Sequence, residues 1–400
     1  MSLSTSVVLL IAGLAQALSL AWPFEGAFKG ASQGWLQCLS LAIAAFHLDR
    51  SQTGKLAFAK TWVFAFAWLA GSIWWLFISM NRYGGLSAPI AGAAVGLMAA
   101  GLALFYAFAA TVYHRICRAG VGVLARASAF AAAWALAEMV RGTLWTGFPW
   151  GAVGYAHVDS LLQPWAAWGG VYGLCALAAF FAMLLAAKRV DGRPTSRATQ
   201  VGVAFLMAAL SYTWFTSPTR SANEPQPSNT PLSVTLLQGN IPQDLKFGEG
   251  INRALRDYRE ALLSSKSDLT VTPETAIPLI QQQMPERYWQ ALETHFAHGK
   301  QAALIGLPLA KRSEHGQLQY SNSAVALIPQ ATPASTAVYQ YDKHHLVPFG
   351  EFVPPLFQWF VRMMNIPLGD FTRGEVAQPS LVFKGERIAP NICYEDLFGE

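Results

Sequence analysis

Charge is scarce in this chain. Asp, Glu, Lys and Arg make up 13% of its 400 residues, about half the ~25% usual in soluble domains, which excludes an ordinary soluble protein. The scarcity is also lopsided. Residues 1–217 hold only Glu25, Asp49, Glu138, Asp159 and Asp191 as acidic groups, whereas 218–400 carry an ordinary soluble mixture. That shift marks the main domain boundary. Cysteine is sparse too: Cys38, Cys117, Cys175 and Cys393. The first three lie in or beside apolar runs and read as small buried hydrophobes. No spacing suits a disulfide framework or a zinc site, so no metal is expected. The net charge of +5 comes without a basic stripe of interleaved aromatics in the polar half, so nucleic acid is not an expected partner.

What is present is apolar length. Seven runs approach the ~20 residues a membrane-spanning helix needs. They fall near 4–22, 31–48, 57–80, 89–113, 122–140, 161–187 and 200–217. The first lacks the basic start and small-x-small cleavage site of a secretory signal, so it reads as an uncleaved span. If the N-terminus is cytoplasmic, the inside loops carry Arg50, Lys55, Lys60, Arg115, Arg118, Arg126, Lys188, Arg189, Arg193 and Arg197. The outside loops carry only Lys29, Arg82 and Arg141. The bias places residues 218 onward outside the cytoplasm. Glu138 and Arg141 stand near the outer end of the fifth run. Ionisable groups at that depth are functional suspects; the plainer reading is a structural pair near the interface. Trp145, Trp150, Trp165 and Trp168 cluster nearby and suit the headgroup level.

Residues 218–231 form a Pro/Ser/Asn linker. Beyond it, strands are expected at 232–238, 268–272, 302–306, 323–328, 337–341 and 388–393, the last ending on Cys393, with helices at 251–265 and 285–298. Alternating strands and helices imply an α/β sandwich. The domain reading is therefore a transmembrane helical domain over 1–217, a linker over 218–231 and a catalytic domain over 232–400.

Three isolated groups in the polar half carry chemistry: Glu274 in Thr272-Pro273-Glu274-Thr275, Lys343 in Asp342-Lys343-His344-His345, and Cys393 in Asn391-Ile392-Cys393-Tyr394-Glu395. A thiol nucleophile needs a base and a cation close by. Glu274, following Val-Thr-Pro on a strand, is expected to be desolvated and to act as general base. Lys343 suits an oxyanion. Glu351 follows a Pro-Phe-Gly turn able to swing it back toward the site. His344 and His345 have no matching ligands around them, so they do not read as a metal site. A carboxylate, an ammonium and a thiol together can make and break an acyl thioester, and a membrane half beside them suggests that the acyl group is a lipid's.

These strings resemble the Glu-Lys-Cys triad of the carbon-nitrogen hydrolase (nitrilase) superfamily. The apolar spans, Gln238-Gly239-Asn240-Ile241-Pro242-Gln243 and Arg141-Gly142-Thr143-Leu144-Trp145-Thr146-Gly147-Phe148-Pro149-Trp150 narrow the resemblance to the apolipoprotein N-acyltransferase family. It implies a membrane helical bundle followed by a nitrilase-like α-β-β-α sandwich in the inner membrane, with the catalytic domain periplasmic. It implies that Cys393 takes an acyl chain from a phospholipid, typically phosphatidylethanolamine, and passes it to the N-terminal amine of a diacylated apolipoprotein. No cofactor is implied. Glu274 would be the base, Lys343 the oxyanion stabiliser and Glu351 a supporting carboxylate, with Tyr394 and Glu395 flanking the nucleophile. Phe247 stands where the family is expected to carry a Trp on a substrate loop. The chain stops seven residues after Cys393, where the resemblance implies further strands and a last transmembrane helix, so the catalytic domain is expected to be incomplete. The alternatives are a membrane-tethered amidase using the same triad and a non-enzymatic transporter or receptor. The latter would want polar groups through the spans, where few beyond Glu138 and Arg141 are apparent.

Overall fold

The computed structural model describes residues 1–117, 121–187, 231–242, 245, 248–313, 316–329, 339–353 and 371–399. The chain divides into two compact units, Met1–Glu224 and Pro225–Glu400.

The first unit is helical: α1 Leu3–Leu20, α2 Gly34–Asp49, α3 Gly54–Ser72, α4 Trp75–Ile78, α5 Ala88–Ile116, α6 Val123–Thr143 and α7 Ala166–Ala187. Four helices among the described residues are long and apolar enough to cross a membrane, or five if a bent pair counts as one span. The expected seven are therefore not reproduced. The run at 31–48 folds as α2, with 16 residues, and the run at 200–217 lies outside the described residues. The run at 57–80 is not one straight span. It bends by 51° after Ser72, where Gly71 and Ser72 adjoin and the Ser72 hydroxyl turns back to the Trp68 carbonyl at 2.9 Å, a common cause of helix kinks.

Small residues let these helices close up. A Cβ on Gly13 of α1 would stand 2.3 Å from the Phe64 carbonyl oxygen of α3, so only glycine permits that crossing. Between the helices lies an aromatic core in which Tyr106 meets Trp134 at 4.8 Å and Trp68 at 5.0 Å between ring centroids. That core ends on Arg141. Its guanidinium donates to the Tyr106 hydroxyl, the Phe148 and Trp150 carbonyls and the Glu138 carboxylate. Both members of the ion pair are 0% exposed by side chain. Glu138 and Arg141 thus form a structural i, i+3 pair, desolvated within the first unit, that holds the loop 144–153. A second polar chain went unnoticed in the sequence. His157 contacts Gln37 at 2.9 Å and Gln37 reaches Gln16 at 3.4 Å, all buried. Lys60 and Arg126, counted above among loop charges, lie within α3 and α6. Lys60 donates to the His47 carbonyl and Arg126 pairs with Asp49 at 2.8 Å.

The second unit is α/β. Its strands are β1 Val234–Leu236, β2 Leu269–Val271, β3 Ala302–Arg312, β4 Leu318–Leu327, β5 Tyr339–Asp342, β6 Leu381–Phe383 and β7 Glu386–Ile388, with helices α8 Ile251–Ser264 and α9 Tyr288–His298. The first five strands form a mixed sheet in the order β1-β2-β3-β4-β5. β1, β2 and β3 are parallel; β4 and β5 are antiparallel to their neighbours. Period-2 alternation sorts the two faces. Ile305, Leu307, Val325 and Leu327 pack under α8 and α9 with Leu255, Leu262, Leu292 and Phe296. Leu304, Ala324 and Ala326 face the β6–β7 hairpin through Leu381, Phe383 and Ile392. The described layers are thus helices, sheet and hairpin. The strand expected at 388–393 is corrected: pairing ends at Ile388, and Cys393 opens a 3-10 turn, Cys393–Leu397.

Arg141→Ala would strand the Glu138 carboxylate out of water and free two loop carbonyls. Breaking one side of a buried pair costs about 3–5 kcal/mol, so the melting temperature of the detergent-solubilised protein is expected to fall clearly. The double substitution Glu138→Gln, Arg141→Met is expected to recover part of the loss.

Candidate active site

Glu274 lies just past β2. Thr272 still pairs with β3, its N–H donating to the Leu304 carbonyl at 3.0 Å and its hydroxyl accepting from the Gly306 N–H at 2.9 Å. The chain then crosses β3 so closely that a Cβ on Gly306 would stand 2.3 Å from the Pro273 oxygen and 3.0 Å from the Glu274 Cα. Thr275, the next residue, takes a left-handed φ of 49°. Lys343 follows β5 directly. Its N–H donates to the Asn322 carbonyl at 2.8 Å and its carbonyl accepts from the Gly374 N–H at 3.0 Å. Glu351 is returned to Lys343 by the Pro-Phe-Gly turn, with Phe349 at φ 62° and the Glu351 N–H on the Val347 carbonyl at 2.9 Å.

These elements bring Glu274, Lys343 and Glu351 together. The Lys343 ammonium stands 3.2 Å from Glu274 Oε1 and 2.9 Å from Glu351 Oε2. Its side chain is 1% exposed, against 30% for Glu274 and 12% for Glu351. The expectation of a desolvated Glu274 is therefore corrected: the ammonium is the desolvated member and the carboxylate keeps contact with water. Burial alone would lower the Lys343 pKa, but the charges of Glu274 and then Glu351 outweigh it and the net direction is up.

Cys393 joins this group. Its thiol feels the charges of Glu274, Lys343 and Glu351. The residue is open to solvent, yet loss of hydration is the first cause that pushes the thiol's pKa up, with Glu274 next and Lys343 opposing. The raised pKa favours the thiol over the thiolate. Cys393 also sits at φ 54°, the left-handed region that a residue with a Cβ rarely adopts.

Glu395, two residues on, accounts for that conformation. Its carboxylate accepts from the Ile392 N–H at 2.9 Å, the His344 N–H at 2.7 Å and the Tyr341 hydroxyl at 2.9 Å. One buried side chain thus pins the turn that carries Cys393 to the loop that carries Lys343. Tyr394 is buried against the Phe398 ring, and His345 stacks on that ring at 3.8 Å. Phe247 lies outside the described residues. The residue sequence reasoning missed is Asn322 on β4. Its amide nitrogen donates to Glu274 Oε1 at 2.6 Å and to Glu351 Oε1 at 2.7 Å. The only signal was a polar Ser321-Asn322-Ser323 run opening a strand that is otherwise apolar toward its end.

Residues 15–184 match the apolipoprotein N-acyltransferase N-terminal domain and residues 233–400 match carbon-nitrogen hydrolase. An apolipoprotein N-acyltransferase from Verminephrobacter eiseniae is 48% identical over 98% of this chain and 72% of its own length. Another, from Ralstonia nicotianae, is 44% identical over 92% of this chain and 67% of its own. The chain belongs to the apolipoprotein N-acyltransferase family. Family membership and the apolar helices make it a multi-pass membrane protein, its carbon-nitrogen hydrolase unit built on a mixed sheet.

Gly306→Ala is expected to push the 273–275 segment off β3 and carry Glu274 away from the thiol. A displacement of that order costs about a hundredfold in rate, read as acyl transfer by purified protein. Retained activity would mean that the segment repacks without moving the carboxylate.

Proposed function

We propose that this protein moves an acyl chain from a phospholipid, through a thioester on Cys393, to the N-terminal α-amino group of a diacylglyceryl-cysteine apolipoprotein. Family membership makes it an N-acyltransferase of lipoprotein maturation. The observation that carries the mechanism is the Glu274–Lys343–Glu351 charge cluster, whose charges bear on the Cys393 thiol.

The chemistry runs in two halves. Cys393 attacks the ester carbonyl of the phospholipid as its proton passes to Glu274, so the thiolate forms only as the carbon–sulfur bond does. Lys343 has three N–H donors; two carboxylates engage it, and the remaining donor meets the oxyanion of the tetrahedral intermediate. Collapse breaks the ester carbon–oxygen bond, and Glu274 returns its proton to the departing lysophospholipid oxygen. The acceptor amine then attacks the thioester, Glu274 takes a proton from the nitrogen, and Cys393 leaves and is reprotonated. The order is ping-pong. Glu351 holds Lys343, Tyr394 and Glu395 support the nucleophile turn, and Phe247 is the aromatic of the substrate loop. Phosphatidylethanolamine is the proposed donor. No cofactor enters this scheme.

The same reading divides the chain into a membrane domain over 1–217, a linker over 218–231 and a catalytic domain of α-β-β-α type from 232. It places the protein in the inner membrane with seven spans over these residues and the catalytic domain in the periplasm. The Lys and Arg bias of the loops supports that orientation.

Membranes incubated with phosphatidylethanolamine bearing a clickable acyl chain are expected to yield an adduct on the protein that hydroxylamine removes and that Cys393→Ala abolishes. Label persisting on the alanine variant would sink the assignment. For orientation, an exposed Lys300→Cys introduced into a Cys393→Ala protein is expected to react with an impermeant maleimide on intact spheroplasts. Reaction only after lysis would reverse the topology.

A further inference from the structure

Four polar groups close a ring around the proposed base. Glu274 Oε1 lies 3.2 Å from Lys343 Nζ, Nζ lies 3.0 Å from Glu351 Oε1, that oxygen lies 2.7 Å from Asn322 Nδ2, and Nδ2 lies 2.6 Å from Glu274 Oε1. Donors and acceptors alternate around it: two like-charged oxygens face each other only across an ammonium on one side and an amide N–H pair on the other. The orientation of the amide is fixed by its partners. Its nitrogen must face both carboxylates, because its oxygen could only repel them. The Asn322 oxygen, in turn, is buried and has no hydrogen-bond partner among the described residues. A buried acceptor left unpaired is costly, so packing or backbone needs alone do not explain an asparagine here. A serine or an apolar residue would pair with Pro308 on β3 and accept the Lys343 N–H through its main chain just as well.

We infer that Asn322 is a positioning residue of the acylation step, holding the Glu274 and Glu351 carboxylates at one separation so that Glu274 stays aimed at Cys393. Lys343 by itself cannot do this. It is a single point charge on a flexible stem, and either carboxylate can pull it over. The two amide hydrogens sit in a fixed plane, and each takes one carboxylate oxygen. Glu351 is committed further, its Oε2 accepting from the Val347 N–H at 2.9 Å and standing 2.9 Å from Lys343 Nζ, which makes Glu274 the carboxylate proposed to serve the thiol. The inference rests on the proposed reaction, and its test includes a readout that works without substrate.

The test compares full-length wild type, Asn322→Ala and Asn322→Asp. Two quantities are measured: the rate of hydroxylamine-sensitive acylation from clickable phosphatidylethanolamine, and the pH dependence of iodoacetamide alkylation read by mass spectrometry on the Cys393 peptide. The charged side chains that bear on this thiol are Glu274, Lys343 and Glu351. Both variants are expected to lose about a hundredfold in acylation, the scale of a misplaced reacting group. Asn322→Asp keeps the shape but adds a third negative charge, so its Cys393 alkylation curve is expected to move alkaline by about one pH unit, a tenfold slowing at fixed pH below the midpoint. A purely structural residue would lower the yield of folded protein and leave that curve in place. The inference is overturned if acylation is unchanged in both variants, if the aspartate curve does not move, or if neither variant folds. If the wild type shows no acylation while the aspartate curve still moves, the proposed reaction fails and the placement of Asn322 against the thiol stands.

Discussion

Lys343 is almost wholly removed from water, and an ammonium in that position must be met by opposite charge and by hydrogen bonds. That requirement organises the second unit. Glu274 reaches it from the end of β2 and Glu351 from a turn eight residues downstream, while Asn322 on β4 ties the two together. Three stretches far apart in the chain therefore converge because one cation cannot be buried otherwise. The charges do not cancel. Two carboxylates face one ammonium, and the Cys393 thiol is pushed up, first by loss of hydration and then by Glu274, with Lys343 opposing. Under the proposed reaction such a site keeps a thiol near a proton acceptor, and the thiolate forms only as a carbonyl is attacked.

Backbone strain follows the same geometry. Thr275, Phe349 and Cys393 all adopt left-handed φ angles; Thr275 follows Glu274, Phe349 lies two residues before Glu351, and Cys393 is the proposed nucleophile. Such residues cost roughly 1–3 kcal/mol apiece and persist only where neighbours over-determine them. The over-determination is visible: Gly306 admits the Thr275 segment, the Val347 N–H and carbonyl hold Glu351 after Phe349, and Glu395 holds the turn at Cys393. Because Glu395 also accepts from the His344 N–H, the positions of Cys393 and Lys343 are tied by one carboxylate instead of by two independent loops.

Much of this was legible in the residues. The helices at 251–265 and 285–298 appear as α8 and α9 within a few residues, because their apolar spacing is strong and their ends are marked. The strings around Glu274, Lys343 and Cys393 stood out because each sets a reactive group among turn formers. What escaped shares a physical cause: it depends on partners distant in sequence. β3 and β4 extend well past the apolar stretches at 302–306 and 323–328, since Pro308 to Arg312 and Leu318 to Asn322 are held by pairing with each other, which no local pattern announces. The same holds for Asn322, whose role exists only once two glutamates from elsewhere flank it. A strand seemed to run to Cys393 because Ile388, Ala389 and Ile392 are apolar, but the Glu395 carboxylate captures the Ile392 N–H and turns the chain instead. In the first unit, the apolar run at 57–80 hid a bend because hydropathy is blind to the Gly71-Ser72 pair.

Arg141 and Lys343, two of the cations buried among the described residues, make an instructive contrast. Arg141 meets four acceptors, three of them neutral, and its planar fork leaves little unspent. Such a group fixes structure; it has nothing to offer a ligand, and its worth lies in the loop whose Phe148 and Trp150 carbonyls it holds. Lys343 is engaged by carboxylates alone, on two sides of a tetrahedral donor set. A donor remains, and it belongs to a charge whose position is already fixed, so a developing oxyanion would be met without reorganisation. Burial therefore serves opposite ends in the two units, and the difference follows from the geometry of a guanidinium against that of an ammonium, not from the depth at which either lies.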